Sequence, residues 1–201
     1  MKTFLKITAL LVITTLGVAE AGGDPTAGKA KSVACAACHG TDGNSTNPVW
    51  PKLAGQNAQY LLKQLADFKA GERIDPMMSP MATPLTEAGI ADLASFYASQ
   101  SITVGSAKPD LVAAGERIYR GGNRATGVAA CMACHGPRGV GNPAAKYPAL
   151  GGQHAAYTAK QLRAFKSGER ANDPNSVMRT IAARMNDEEI DAVAEYVSGL
   201  H

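Results

Sequence analysis

Two short cysteine–histidine motifs contain all four cysteines of this 201-residue chain. The first reads CAACH and ends at His39, and the second reads CMACH and ends at His135. On a helix, cysteines three residues apart lie about one turn from each other, and the histidine follows on the next face. This spacing lets both thiols form thioethers to one haem while the imidazole reaches its iron, and CxxCH is the attachment motif of c-type haem. We therefore predict two covalent haem c groups (iron), attached at Cys35, Cys38 and His39, and at Cys131, Cys134 and His135.

Three other uses of the same cysteines fit less well. A zinc ion prefers four protein ligands in a structural site, and each half offers only two thiolates and one imidazole. A thioredoxin-like redox motif is expected in a βαβ setting, which the sequence lacks. Structural disulfides would join a motif to another part of the fold, and the chain has no other cysteines.

The chain repeats itself. A shift of 97 residues superimposes residues 53–56 (LAGQ) on residues 150–153 (LGGQ). The CxxCH copies are offset by 96, and Ile90 aligns with Ile190 at an offset of 100. Two tandem domains follow from this internal duplication.

The N-terminus has the pattern of a secretory leader. Lys2 and Lys6 precede an apolar run at residues 7–18, and Ala19-Glu20-Ala21 is a small-x-small cleavage site. The run is too short to cross a bilayer, which needs about 20 residues. We predict export to the periplasm, with association at the outer face of the cytoplasmic membrane left open. The predicted boundaries are a signal peptide at 1–21 and domains at 22–103 and 104–201.

The sequence predicts that the elements that position the two motifs are helices. Apolar residues recur with a helical period in each half, and no run alternates with a period of two. Thr86 and Asn186 are good caps for the last helix of each half, and Glu189 completes a capping box with Asn186. Aromatic residues make up only 5% of the chain, so each small domain is short of core and a bound haem would fill it. We predict an all-α fold in each half.

A haem iron with one histidine ligand either takes a second ligand such as methionine or keeps an open position for a substrate. The shift of 97 places Met81 on Met178, so we assign these two as axial ligands, with Met78 as the main alternative for the first haem. Met185 abuts the cap of the last helix and is expected to pack instead. The candidates for lining the haems or bonding their propionates are Trp50, Tyr60, Tyr147 and Tyr157, together with His154.

Several segments together resemble the cytochrome c4 family. They are the two CxxCH motifs, the PKLAGQ and PALGGQ loops, the segments YLLKQLADFKAGER and YTAKQLRAFKSGER, and the methionines before the last helices. The resemblance covers essentially the whole mature chain. It implies a dihaem electron carrier outside the cytoplasm, built from two tandem cytochrome c-like helical domains that wrap their haems and pack about an internal pseudo-twofold axis.

The resemblance also implies roles for individual residues. Gly28 and Gly115 are expected to let the first and last helices of each domain cross closely. The second domain has an aromatic residue, Tyr119, one turn later, where the first has Ser32. The implied haem residues are Cys35, Cys38, His39 and Met81 in the first domain, and Cys131, Cys134, His135 and Met178 in the second.

The function that the resemblance implies is electron transfer rather than catalysis. The expected partners are an upstream donor, either a cytochrome complex or a small redox protein, and a terminal oxidase. Residues 22–103 carry six basic against seven acidic side chains, and residues 104–201 carry twelve against nine, so opposite ends could dock different partners. Lysines and arginines are scattered, which disfavours nucleic acid. We expect a monomer or a weak dimer.

Two other functions remain as alternatives. One is the dihaem electron-transfer subunit of an oxidoreductase, such as a sulfide-oxidising flavocytochrome, which would need a stable partner subunit. The other is a haem peroxidase, which would need an exchangeable iron position. No convincing catalytic constellation is found outside the haem motifs, and this favours the carrier.

Overall fold

A computed structural model describes residues 22–201, so the predicted signal peptide at residues 1–21 lies outside the described residues. Regular secondary structure in the described part is helical, apart from two isolated antiparallel bridges in loops of the second half. None of these helices has the length and apolar character needed to cross a bilayer. The predicted all-α fold is confirmed.

The same five helices occur in both halves in the same order. The first half contains α1 (Pro25–Lys31), α2 (Val33–His39), α3 (Ala58–Ala70), α4 (Met78–Ala82) and α5 (Glu87–Ala98). The second half contains α6 (Pro109–Gly121), α7 (Met132–His135), α8 (Ala155–Ser167), α9 (Val177–Ala182) and α10 (Asp187–Ser198), with a 3-10 turn at Pro174–Ser176 before α9. Each CxxCH motif therefore ends a short helix that follows the first helix of its half.

The predicted caps position the last helix of each half. The side-chain oxygen of Thr86 accepts a hydrogen bond from the backbone N–H of Gly89 at 3.0 Å. Asn186 and Glu189 form the expected capping box at the start of α10. Such caps satisfy N–H groups that have no partner within the helix, and each contributes about 1 kcal/mol.

The first and last helices of each half cross at a glycine. A Cβ atom on Gly28 would lie 2.0 Å from the backbone oxygen of Asp92 in α5. A Cβ atom on Gly115 would lie 2.1 Å from the backbone oxygen of Ala192 in α10. No side chain larger than hydrogen fits at either position, so both halves have the close crossing that was expected of these glycines.

Each half has its own hydrophobic core, and the first cysteine of each motif packs against it. The first core consists of Leu61, Leu93, Ala94, Phe96 and Tyr97. The second consists of Tyr119, Val128, Ala159, Met185, Ile190, Val193, Ala194, Tyr196, Val197 and Leu200. Cys35 borders the first core and Cys131 borders the second. Met185 is 3% exposed, so it packs in the core as predicted.

The boundary between the halves is built from equivalent residues. The side-chain amide of Gln56 donates to the carbonyl of Ala149 at 2.9 Å and accepts from its N–H at 2.8 Å. Gln153 makes the same pair of bonds with the backbone of Lys52, at 2.8 and 2.9 Å. Gln56 and Gln153 are 97 residues apart, as are Lys52 and Ala149. A contact set that repeats with its partners exchanged is the mark of a twofold relation, here an internal one.

Candidate functional site

The cysteines of both motifs are free thiols held by helices. Cys35 and Cys38 lie in α2, three residues apart, so their side chains share one side of the helix. Cys131 precedes α7 directly and Cys134 lies within it. Burial raises the pKa of the Cys35 thiol, and it raises the pKa of Cys131 to about 11. Redox-active cysteines have lowered pKa values, so these thiols do not have the character of a thioredoxin-like site.

The two motif histidines are buried and held by equivalent backbone carbonyls. The Nδ1 atom of His39 lies 2.9 Å from the carbonyl oxygen of Pro51, and that of His135 lies 2.9 Å from the carbonyl oxygen of Pro148. A carbonyl oxygen only accepts, so each Nδ1 carries the proton and each Nε2 keeps a lone pair for a metal. Burial lowers the pKa of both imidazoles and keeps them neutral, as a metal ligand must be.

The proline carbonyls were not identified as functional residues from the sequence. Pro51 and Pro148 are 97 residues apart and begin the repeated PKLAGQ and PALGGQ loops. The repeat marked these loops as equivalent, but a backbone carbonyl has no side-chain signature that would show which ring it contacts. The equivalence of the two loops is the signal that could have suggested a shared role.

An ordinary metal site does not explain the motifs. Within residues 22–201, no group of three or more histidine, cysteine or acidic side chains is placed to hold a metal ion. A tetrahedral zinc centre needs four ligands, and each motif stands alone in its half. The cysteines also form no disulfide among the described residues.

The candidate methionines lie on two short helices, α4 and α9, which correspond at a shift of 100 residues rather than 97. Helix α4 ends at Ala82 and α9 ends at Ala182, and both alanines are 0% exposed. The same two-residue turn and capped helix then follow in each half. In this register Met78, rather than Met81, corresponds to Met178.

Three additional residues before α9 change the register. Arg73 and Arg170 still correspond at a shift of 97. Four residues separate Arg73 from Met78, whereas seven separate Arg170 from Met178. The extra length forms the turn at Pro174–Ser176, whose last two residues have φ angles of 55° and 56°.

Exposure of the methionine side chains agrees with the register of the helices. Met81 is 46% exposed, whereas Met78 and Met178 are both partly buried. The sequence-based choice of Met81 extended the shift of 97 past the point where the structure changes register. The register of the helices therefore makes Met78, rather than Met81, the equivalent of Met178.

Two aromatic candidates lie between the halves and a third lies beside a histidine. The hydroxyls of Tyr60 and Tyr157 each accept a hydrogen bond from an arginine of the opposite half. The ring of Tyr147 is 6.1 Å from the ring of His135, between centroids. The fourth candidate, Trp50, is partly buried in the loop before α3.

The two remaining histidines lie away from the motif cysteines. His154 Nε2 donates to the carbonyl of Ser45 at 2.8 Å, across the boundary between the halves. His201 is exposed at the C-terminus. Neither residue belongs to a CxxCH motif.

A buried polar cluster joins α3 and α8 across the same boundary. Arg73 donates to Gln64 at 2.7 Å in its own half, and to Tyr157 and Gln161 of the other half at 3.2 and 2.9 Å. Its counterpart Arg170 donates to Gln161 at 2.8 Å in its own half. Arg170 also donates to Tyr60 and Gln64 of the opposite half, both at 2.9 Å.

The two guanidinium groups share two amide oxygens, and none of their direct hydrogen-bond partners is a carboxylate. Each guanidinium also lies over a phenylalanine of its own half: Arg73 is 4.5 Å from the ring centre of Phe68, and Arg170 is 4.4 Å from that of Phe165. This cluster fixes α3 against α8. Because these helices precede the methionine helices, the cluster also fixes the relative placement of the two candidate sites.

The donor sets fit covalently attached haem. Each half presents two thiols on one side of a short helix and a neutral histidine with a free Nε2. Each half also has a methionine thioether on a short helix after α3 or α8. Two thiols, an imidazole and a thioether are the kinds of group that would attach a c-type haem and ligate its iron.

Comparisons with known proteins agree with this chemistry. The family described as Cytochrome c matches residues 26–101 and again residues 112–201. Cytochrome c4 from Pseudomonas aeruginosa is 48% identical over 198 residues, with 98% of each chain covered. The crystal structure of reduced recombinant cytochrome c4 from Pseudomonas stutzeri superposes with a TM-score of 0.87 at 47% identity, covering 90% of this chain and 100% of that one. A thiosulfate dehydrogenase electron acceptor from Thiomonas intermedia is 38% identical, over 98% of this chain and 94% of its own.

Proposed function

The chain belongs to the cytochrome c4 family, and on this basis we propose that it carries electrons from an upstream donor towards a terminal oxidase. Membership makes it a dihaem c-type cytochrome, an electron carrier rather than an enzyme. When bound, each haem supplies an iron that gains and loses one electron between its ferric and ferrous states. The protein supplies attachment, orientation and burial.

The observation that carries this function is the matched pair of histidine–proline contacts. Both imidazoles are held in one tautomer by a carbonyl at 2.9 Å, so each presents Nε2 in a fixed direction. A fixed neutral imidazole together with a methionine thioether would favour a six-coordinate iron whose bonding changes little with redox state. Such a site suits electron transfer, because a substrate would find no open position.

The axial ligands that we propose are His39 and Met78 for the first haem, and His135 and Met178 for the second. The four cysteines of the two motifs provide the thioether bonds. Support for Met78 comes from the register of α4 against α9. Met81 remains the competing ligand for the first haem.

One optical experiment tests the carrier and the methionine assignment together. The ferric holoprotein should show a methionine-to-iron charge-transfer band near the red edge of its spectrum, and it should titrate in two one-electron waves. Met178→Ala should remove the share of the band that belongs to the second haem. Met78→Ala should remove the remaining share, and the matched variant Met81→Ala should leave the band intact.

Two results would contradict these assignments. If Met81→Ala removes half of the band and Met78→Ala does not, Met81 ligates the first haem. If the unmodified ferric protein binds cyanide rapidly at both irons, the sixth positions are open and the carrier function is wrong.

We also propose that residues 1–21 are a signal peptide and that the mature protein works in the periplasm. Covalent attachment of haem c suits an exported chain, and Lys2, Lys6 and the Ala19-Glu20-Ala21 site support the leader. The proposed domain limits are 22–103 and 104–201, on either side of the segment between α5 and α6. N-terminal sequencing of the mature protein should begin at Gly22.

A second candidate is electron acceptor for an enzyme that oxidises sulfur compounds. The relative from Thiomonas intermedia that is named thiosulfate dehydrogenase electron acceptor favours it. Stopped-flow reduction of the oxidised holoprotein separates the two candidates. Faster reduction by thiosulfate dehydrogenase with thiosulfate than by a quinol-oxidising cytochrome complex would support the second, and the opposite order would support the respiratory route.

A further inference from the structure

The hydroxyl group of Tyr97 is buried without a hydrogen-bond partner. Tyr97 lies in α5 and is 3% exposed. Its oxygen is the one fully buried side-chain nitrogen or oxygen atom without a partner that the structure shows within residues 22–201. Leaving a buried hydroxyl unpaired costs free energy, so such a group calls for an explanation.

The surroundings of Tyr97 leave two acceptors for this hydroxyl. Its side chain packs in the first core, against which Cys35 also packs, and the thiol of Cys35 and the hydroxyl of Ser32 are its polar neighbours. The hydroxyl of Ser32 donates to the carbonyl of Lys29 at 2.9 Å, so it can receive a bond from Tyr97 but cannot give one. Cys35 offers the lone pairs of its sulfur, which is a weak acceptor.

The loop backbone at Gly43 also packs against the ring of Tyr97. A Cβ atom on Gly43 would lie 2.8 Å from Cδ1 of the ring, so the loop backbone touches the ring directly. Gly43 has a φ of 85°, which a residue with a side chain rarely adopts. The ring therefore cannot turn towards Gly43 without moving this loop.

The second half has no such arrangement. At the shift of 100 that relates α5 to α10, Val197 occupies the place of Tyr97. The least exposed tyrosine of the second half is Tyr119 on α6, and its hydroxyl donates to the carbonyl of Gly136 at 2.6 Å. This hydroxyl is engaged by backbone, so Tyr119 does not offer the sulfur of Cys131 a free donor.

We propose that Tyr97 is a tuning residue for the first haem, donating a hydrogen bond from its hydroxyl to the sulfur of Cys35 once that sulfur is a thioether. A hydrogen bond to this sulfur withdraws electron density from the attachment point and so favours the reduced haem. Hydrogen bonding near a cofactor is one of the means by which a protein sets its potential. The proposal rests on the dihaem carrier proposed above. It makes the two haems inequivalent, because this bond raises the reduction potential of the first haem only.

Tyr97→Phe in the full holoprotein tests the proposal by redox titration. We expect the potential of the first haem to fall while that of the second stays in place, so the second haem is an internal control within the same molecule. Tyr119→Phe is the matched variant in the other half. It should lower the thermal midpoint, because Gly136 loses its donor, without moving the wave of the first haem.

Ser32→Ala separates the two acceptors. If the hydroxyl bonds to the sulfur, this variant leaves the first wave in place, because the bond between Tyr97 and Cys35 survives. If Ser32→Ala shifts the first wave as far as Tyr97→Phe does, the hydroxyl acts through Ser32 and the proposal is overturned. It is also overturned if Tyr97→Phe moves neither wave.

Proton NMR of the ferric protein gives an independent readout. Resonances of the first haem next to the Cys35 thioether should shift in Tyr97→Phe, whereas those of the second haem should not. Failure of the proposal stays distinct from failure of the carrier function. Two bound haems with intact methionine bands and an unmoved first wave would overturn only the role of Tyr97.

Discussion

The two halves of the molecule hold their histidines in the same way and surround them differently. In both, Nδ1 bonds to a proline carbonyl at 2.9 Å and the outer helices cross at a glycine. In contrast, the last helix of the first half contributes Tyr97 to its core, whereas the second half has Val197 at the equivalent position and takes Tyr119 from its first helix. Tyr97 and Tyr119 thus enter their cores from different helices. The comparison teaches that ligand orientation and helix crossing allow few solutions, whereas the filling of a core allows several.

The largest effect should come from removing the attachment in one half only. Cys131→Ala combined with Cys134→Ala leaves the second half without thioether bonds, so the chain should retain one covalent haem instead of two. The domain then lacks the group around which its short core packs, and its helix content should fall. Mass spectrometry and circular dichroism measure both losses.

The double variant Cys35→Ala with Cys38→Ala is the matching change in the first half. If both halves depend on haem in the same way, it should produce an equal loss of bound haem. A double variant that still carried two covalent haems would show that other residues attach them. The prediction that the CxxCH cysteines form the thioether bonds would then be wrong.

The glycine crossings should give the next largest effect. Gly28→Ala and Gly115→Ala each place a Cβ atom about 2 Å from a backbone oxygen, and overpacking of this kind costs about 3 kcal/mol of unfolding free energy. The costs should be similar, because the two contacts differ by only 0.1 Å. Denaturation of the holoprotein by guanidinium measures them.

Gly121→Ala is the control for this pair, since it lies at the end of α6 with no atom within 4 Å of its added Cβ. It should change stability by less than about 0.5 kcal/mol. If Gly28→Ala lowers the unfolding free energy as little as this control does, α1 and α5 can move apart at no cost. The two glycine crossings would then not be equivalent.

The sequence predicted those parts of the site that side-chain types mark. The four cysteines, His39 and His135 were identifiable because their spacing is rare and tied to one chemistry. The helices followed from apolar periodicity and from caps such as Thr86 and Asn186, which the structure confirms.

Other features depend on contacts that no pattern in one sequence displays. The register of Met78 against Met178 required knowing where the extra residues before α9 are accommodated, whereas a constant shift of 97 pairs Met178 with Met81. The proline carbonyls at Pro51 and Pro148 act through backbone atoms, so their residue type says nothing of their partner. Arg73 was matched to Arg170 by the repeat, but its burial between the halves depends on how the domains pack.

The arginine cluster should respond almost symmetrically. Arg73→Gln and Arg170→Gln each remove a guanidinium that bonds across the boundary, and each should cost about 2 kcal/mol because buried acceptors lose their donors. Arg170→Gln should cost slightly more, since Arg170 also donates to Asn172 at 3.1 Å. Electron exchange between the haems, followed after partial photoreduction, should slow in both variants as the halves lose their fixed placement.

Arg120→Gln is the control for the arginine variants, because Arg120 forms an exposed pair with Glu116 within α6 and makes no contact across the boundary. Exposed pairs of this kind contribute about 0–1 kcal/mol. Exchange as fast in Arg73→Gln as in Arg120→Gln would show that the cluster does not set the separation of the sites.

The smallest effect should come from His154, where the other half has Asn57. Burial lowers the pKa of this imidazole, and the nearby ammonium of Lys52 lowers it further. Below the unfolded-state pKa of about 6.5, the unfolded chain therefore takes up the proton more readily than the folded one, and unfolding free energy falls as the pH drops towards the folded-state pKa. His154→Asn should remove this small slope, whereas exposed His201→Asn should keep it. Equal slopes of unfolding free energy against pH in all three proteins between pH 7.5 and 5.5 would mean that protonation of His154 is not coupled to folding. His154 and Asn57 would then be equivalent in their effect on stability.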